Sequence, residues 1–302
     1  MQSNASASAP GPTALFQLPL REARLFWEFT WRDWSTTIIP TAIFALAVLK
    51  TRWPVAMNAA ALSLGRCLVY FTLYIYTFCL ANQIAGVEED SVNKPDRPIP
   101  RGLVSPRGAL VRWAVVTALF LAVGAWFGVF VWALAWAILT VLYCYCGWDR
   151  HWFTKNVVVM SLGVLVELAA TWELVTPLTP AGWRWVLVSS GTIGVTSILQ
   201  DMRDVAGDRS IGRRTLPVVV GESAARWAMA TVFALAPIAV HLGLMSQVGG
   251  AKALACDVAL GAWSLVIAAR VLRDRSPRSA HATYMFYTYW YCALLVSAVV
   301  VL

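Results

Sequence analysis

Long apolar runs recur from one end of this 302-residue chain to the other, and no other feature limits its fold so strongly. A hydrocarbon core about 30 Å thick is crossed by roughly 20 apolar residues wound as a helix. Within it, each backbone N–H and C=O must find a partner, which leaves helices or a closed barrel. Uninterrupted apolar runs of this length favour helices. Nine spans are expected, at 34–50, 61–81, 109–124, 126–146, 156–174, 184–200, 224–245, 251–269 and 283–302. Only a short Gly-Ala stretch separates the third from the fourth. The expected fold is an all-α integral membrane protein, a bundle of nine transmembrane helices around a central apolar cavity.

Composition agrees. Hydrophobic residues make up 59% and charged residues 13%, against about 45–50% and about 25% in soluble domains. A soluble globular fold is thereby disfavoured. Residues 1–20 are small, polar and proline-containing, with neither a basic start nor a clean apolar core, so a disordered tail is expected rather than a signal peptide. The following "REARLFWEFTWRDW" mixes Arg with Phe and Trp, as an interfacial amphipathic helix does. Residues 21–302 read as one domain. The six cysteines all fall in apolar stretches and imply neither disulfides nor a metal site. No GxGxxG, HExxH or paired CxxC pattern occurs. With nine spans, nineteen of the 24 Lys and Arg fall on the side of the N-terminus. The positive-inside rule makes that side cytoplasmic.

Two charged stretches interrupt the apolar pattern on that same side. The first, "ANQIAGVEEDSVNKPDRPIP" at 81–100, follows the second span. On one helix, Asn82, Glu89 and Asp90 face one way, and Gly86 between them leaves room for something to approach. Pro95 and Pro98 then end the helix, with Lys94 and Arg97 left on a loop. The second, "LQDMRDVAGDRSIGRRTLPVVVG" at 199–221, follows the sixth span. Asp201, Asp204 and Asp208, spaced three and four apart, share a helical face. Like charges so arranged repel and call for a cation. The arginines that follow meet part of that need, and Mg²⁺, which favours carboxylate and phosphate oxygens, meets it better. Acids holding Mg²⁺, bases holding a diphosphate and an apolar bundle alongside suit one ligand: a polyphosphate head on a hydrocarbon tail. The plainer alternative is a pair of solvated cytoplasmic loops obeying the positive-inside rule, but two such motifs at helix ends weigh against it.

At these residues the chain resembles the UbiA superfamily of intramembrane prenyltransferases. That family carries NDxxDxxxD followed by an NKPxRP-type loop, then DxxDxxxD followed by a GxRTLP-like stretch. Here the first motif reads from Asn82 through Gln83, Gly86, Glu88 and Glu89 to Asp90, then Asn93-Lys94-Pro95-Asp96-Arg97-Pro98. The second reads Asp201, Asp204 and Asp208, then Gly212-Arg213-Arg214-Thr215-Leu216-Pro217. The resemblance covers about residues 25–302 and implies nine helices with the motifs in the 2–3 and 6–7 connections. It implies that Asn82, Glu89, Asp90, Asp201, Asp204 and Asp208 bind the metal and serve catalysis. It also makes Lys155 the family's basic residue near the start of the fifth helix. Lys94, Arg97, Lys155, Arg209 and Arg214 are then the expected diphosphate ligands. Gln83 and Gly86 replace two acids of the family pattern, with Glu89 as the candidate substitute. This altered first motif resembles the branch containing membrane terpene cyclases.

Ionisation of an isoprenyl diphosphate, such as farnesyl or geranylgeranyl diphosphate, is the implied first step. The allylic cation must then be kept from water, and aromatic faces stabilise it. Tyr74 and Phe78, two turns and one turn before Asn82, are the expected prenyl-chain contacts. Tyr143, Tyr145 and Trp172 are secondary candidates. Six aromatics between Tyr284 and Tyr291 read either as cavity lining or as an interfacial belt. Intramembrane charges are functional or paired. Arg66 and Glu173 are expected to pair near the far end. Glu167 is the candidate catalytic contact to an intermediate or acceptor, or else it pairs elsewhere. A terpene cyclase, a prenyltransferase to an aromatic or other lipophilic acceptor, and a non-enzymatic transporter or lipid binder remain as readings. The doubled acidic motif weighs against the last. Membrane lipid surrounds any of them. No nucleic acid and no obligate protein partner are expected.

Overall fold

The computed structural model describes residues 12–273 and 276–302. Among these the chain is helical throughout and contains no strand. Of the tail expected over 1–20, residues 1–11 lie outside the described residues; from Pro12 the chain is α1 (Pro12–Thr30). Leu25 and Phe29 of α1 are buried against Ile75, Tyr76, Cys79 and Leu80 of α3 (Met57–Ala85). Arg112–Glu22 and Arg101–Glu28 ion pairs fasten the same helix at its edges.

All nine expected apolar stretches fall largely on helices. After α1 come α2 (Ile38–Lys50), α3, the short α4 (Val87–Asn93), α5 (Pro106–Trp126) and α6 (Phe130–Tyr145). A π-helical stretch, Phe153–Met160, runs into α7 (Ser161–Val175). Next are α8 (Pro180–Thr196), a 3-10 stretch Ser197–Met202, α9 (Val205–Ser210), α10 (Leu216–Val220), α11 (Glu222–Gly243), α12 (Gly250–Arg273) and α13 (Pro277–Val301). Six helical segments among the described residues are long and apolar enough to cross a membrane: α3, α5, Phe153–Val175, Glu222–Gln247, α12 and α13. Helices α2 and α6 are apolar but shorter. The first expected span is cut back at its start, because Trp31–Thr36 winds as a 3-10 turn before α2 begins.

Local chemistry explains the starts. Ser105-Pro106, Thr179-Pro180 and Ser276-Pro277 each open a long helix. The Ser or Thr oxygen accepts a free backbone N–H of the first turn, and the proline needs no hydrogen-bond acceptor there. At the opposite end, Lys50 Nζ donates to the carbonyls of Val299 and Val300, and Arg52 Nη1 to that of Val175. Two cations beyond α2 thus satisfy the exposed C-terminal carbonyls of α13 and α7.

Helix α2 packs on α3, α7 and α13, so the last helix closes against one of the first. Small residues permit the closest approaches, as is usual between helices in a membrane. A Cβ on Gly194 would lie 1.7 Å from Ser161 Oγ, and one on Gly182 would lie 2.7 Å from the Trp172 ring.

Candidate active site

A cavity of about 920 Å³ runs into the bundle, walled by α3, α6, the π-helical stretch, α7 and α13. Its mouth is charged and its depth is aromatic. Asp33, Thr36 and Thr37 line it because the 3-10 turn before α2 bends over the opening.

The first motif does not lie on one unbroken helix. Helix α3 ends at Ala85, Gly86 is the joint, and α4 begins at Val87. Asn82, Gly86, Glu88 and Glu89 line the cavity. Asp90 instead is buried and accepts a 2.6 Å hydrogen bond from Arg97 Nη1. The expected common face of Asn82, Glu89 and Asp90 is therefore split, with Asp90 turned to the basic loop. A Cβ on Gly86 would meet the Asn82 carbonyl at 3.1 Å and Asp90 Oδ2 at 3.9 Å, so the room is on the cavity side.

The second motif is broken too. Asp201 sits in the 3-10 stretch, Asp204 at the joint and Asp208 in α9. The tighter 3-10 winding and the joint at Asp204 undo the predicted shared face. Asp201 is fully buried between Lys155 Nζ at 2.6 Å and Asn156 Nδ2 at 2.7 Å. Gln200 completes this group by donating to Asn156 Oδ1. The wider π-helical winding carries the consecutive residues Lys155 and Asn156 that both reach Asp201. Such windings recur at functional sites. Asp204 and Asp208 line the cavity, Asp204 beside Arg203 Nε at 3.1 Å. Asp208 is buried, and its Oδ2 has no hydrogen-bond partner. Burial pushes its carboxyl above the usual range and Asp201 adds to this, while Lys155, Arg213 and Thr215 oppose it.

Of the expected diphosphate ligands, Lys94, Arg97 and Lys155 line the cavity. Arg209 and Arg214 are exposed and do not. The backbone around Arg214 is extended and bridges to His151, with Arg214 N donating to Arg150 O at 2.7 Å. Successive side chains of extended backbone point opposite ways. Arg214 points out and Arg213 points in. Arg213 joins Glu89 at 3.0 Å, Asp149 at 2.8 Å and Asp208 at 3.6 Å, acids from three separate segments. Despite burial, Glu89 and Asp149 hold its guanidinium protonated. Burial and Arg97 lower the affinity of Lys94 for its proton, against Asp204, Asp90 and Glu89. The sequence offers Arg213 only as one of three arginines that partly neutralise the aspartates, and it does not single out Asp149, Arg203 or Asp33. The Arg213-Arg214 pair was the only pointer, and it cannot say which of the two turns inward.

Deeper, the Tyr74 ring stacks on Trp136 at 4.1 Å between centroids. Tyr74 OH donates to Gly163 O, and Trp136 Nε1 donates to Tyr74 O, both at 3.0 Å. Phe78 lies against Trp136 and Tyr143, and all line the cavity. Tyr145 sits at the mouth, whereas Trp172 packs on Phe44 away from the cavity. The last-helix aromatics divide by face. Tyr284, Tyr287 and Tyr291, at helical spacing, line the cavity, while Phe286 packs on Trp263 and Trp290 on Phe233. Arg66 and Glu173 do not pair. Arg66 is exposed with its guanidinium 5.8 Å from the Phe127 centroid, and Glu173 accepts from Trp132 Nε1 at 2.6 Å. Helix depth alone placed them together; their helix faces keep them apart. Glu167 is buried on the cavity wall.

Among the described residues, no three His, Cys, Asp or Glu converge as a closed metal site. Of the expected metal ligands, Asn82, Glu89, Asp204 and Asp208 face the cavity, and Asp90 and Asp201 do not. Mg²⁺ is usually held by one or two carboxylates together with substrate phosphates and water, and the unpartnered Asp208 Oδ2 beside this set fits that mode.

The model of the UbiA prenyltransferase family matches residues 38–290. The chain belongs to this family. Among its UbiA relatives, somaliensene A/B synthase of Streptomyces somaliensis is 41% identical over 92% of this chain and 93% of its own. Diterpene cyclase eriG of Hericium erinaceus is also 41% identical, over 91% of this chain and 87% of its own. Polyprenyl transferase eriF of the same fungus is 36% identical over 93% and 96%. A UbiA homologue from Archaeoglobus fulgidus, solved with GPP and Mg²⁺, superposes with a TM-score of 0.65 over 91% of this chain and 99% of its own. At 15% identity that likeness speaks for the fold.

Proposed function

We propose that this UbiA-family enzyme ionises an isoprenyl diphosphate and cyclises the resulting cation, as a membrane terpene cyclase. The observation that carries the reading is one continuous cavity, charged at its mouth and aromatic in its depth. The 41% identity to a synthase and a cyclase over nearly the whole chain supports the cyclase branch.

Asn82, Glu89, Asp204 and Asp208 would hold Mg²⁺. Bound there, the metal neutralises charge that develops on the departing diphosphate. Lys94, Arg97 and Lys155 bind the diphosphate and stabilise it as it leaves. Asp201 and Asn156 fix Lys155 for that task, and Asp90 fixes Arg97. Arg213, joined to Glu89, Asp149 and Asp208, adds positive charge beside the diphosphate. The prenyl chain folds against Tyr74, Phe78, Trp136 and Tyr287. Each aromatic face is worth about 0.5–2 kcal/mol to a desolvated cation. The surrounding helices exclude water that would quench it. The bundle crosses the membrane nine times, with the N-terminus, both acidic motifs and the cavity mouth at the cytoplasmic face and single-domain organisation over residues 21–302. Farnesyl and geranylgeranyl diphosphates are the substrates to try.

Incubating the purified protein with each prenyl diphosphate and Mg²⁺, without acceptor, tests this. Diphosphate release with a cyclic hydrocarbon or alcohol is expected. Substrate that is turned over only when an aromatic or lipophilic acceptor is added would favour the second reading, a prenyltransferase, which the 36% identity to a polyprenyl transferase keeps in play.

A further inference from the structure

The deep end of the cavity holds one acid. Glu167 is 3% exposed, lines the cavity, and its Oε1 has no hydrogen-bond partner. Tyr74 and Tyr291 line the same cavity. The Tyr291 hydroxyl also lacks a partner, whereas that of Tyr74 is committed to Gly163 O. Every other carboxyl on the cavity wall, from Asp33 to Asp208, belongs to the mouth. Glu167 is twelve residues beyond Lys155, at most about 18 Å along the helix axis.

Burying a charged carboxylate inside a membrane helix costs several kcal/mol, and structural ones are paired. Among the described residues no ion pair reaches Glu167: Lys155 is engaged by Asp201 and Arg66 is on the outer surface. The missing partner is then a transient one, and the one cation that the proposed reaction makes in this space is carbon-centred. A carboxylate there stabilises positive charge on the folded chain, and it is also the acceptor that chain termination requires. The diphosphate contacts proposed above belong to the mouth, up to about 18 Å from Glu167 along the helix axis, so Glu167 is the nearer base for a carbon at this end.

We propose that Glu167 is the catalytic base that ends the reaction by deprotonating the cyclised carbocation. A C–H bond next to the cationic carbon breaks, and its electron pair becomes the new C=C bond. The proton passes to the Glu167 carboxylate, and it leaves to water when product and diphosphate depart. The inference rests on the cyclase reading.

The test measures diphosphate release and product composition in the same acceptor-free reaction. Glu167→Gln keeps the shape and removes the base. Diphosphate release is expected to persist, slowed, while the principal olefin falls about 10²-fold relative to acyclic or hydroxylated products. Glu167→Asp, which withdraws the carboxylate by one methylene, is expected to restore olefin formation in part and to move the position of the double bond. Wild-type product ratios from Glu167→Gln would overturn the proposal. So would loss of diphosphate release and olefin in parallel in both variants, which marks a role in seating substrate. Should Glu167→Gln not fold, Glu167→Asp decides: an unaltered double-bond position and unaltered product ratio overturn the proposal. Absence of diphosphate release from the wild-type protein would instead remove the cyclase reading, and this inference with it.

Discussion

Asp201 and Asp208 carry the same side chain seven residues apart, in unlike surroundings. Asp201 is paired with Lys155 and accepts a hydrogen bond from Asn156, and Asp208 keeps an unpartnered oxygen toward the cavity. Removing one member of a buried ion pair costs about 3–5 kcal/mol. Asp201→Asn should therefore lower the melting temperature in detergent as well as activity. Asp208→Asn should leave the melting temperature unchanged or raised, because a desolvated charge is lost, while turnover falls at least about 10²-fold. Equal stability losses in the two variants would refute this division of roles. Glu89 and Glu88 offer a second contrast. Glu89 holds Arg213 between the motifs, and Glu88 is exposed at the cavity edge. Glu89→Gln should reduce kcat/KM by about tenfold or more, as loss of one charged hydrogen bond predicts, and Glu88→Gln by less. Steady-state diphosphate release gives the comparison, and the reverse order would show that Arg213 does not need Glu89.

Helices were legible because hydrocarbon demands long apolar runs; the Ser-Pro and Thr-Pro pairs that mark three of their starts went unread. Their windings were not. A period of 3.6 put three aspartates on one face, and the chain has a 3-10 stretch, a joint and a short α-helix there. The π-helical turns at Lys155 leave no mark in hydropathy. Which of Arg213 and Arg214 faces inward depends on a bridge to His151, some sixty residues away in sequence. The site's types of residue were readable from the two motifs; the pairing among them was not, since it arises from segments that meet only in the fold. One contact between elements makes its own prediction. A Cβ on Gly163 would lie 3.1 Å from Trp136 Cζ3, so Gly163→Ala must tilt the ring that stacks on Tyr74. Overpacking of this kind costs about 1–3 kcal/mol. A lowered melting temperature and an altered product spectrum are expected, with diphosphate release less affected. An unchanged spectrum would mean that Trp136 does not shape the chain's fold.

For the molecule as a whole, acids and bases at the mouth are largely paired with one another, so the fold does not depend on a metal to balance these charges. Chelation should accordingly abolish turnover with little effect on melting, and added Mg²⁺ should restore it. Full turnover in metal-free buffer would contradict the proposed ligand set. The cavity also has a wall from α13. Tyr284, Tyr287 and Tyr291 complete it, and α13 seals against α2, some 240 residues earlier in sequence. Until α13 packs against α2, the pocket is a furrow open to lipid. A chain caught in that state has no enclosed space for a hydrocarbon guest, so the shape of the pocket is tied to the docking of two helices that lie far apart in sequence.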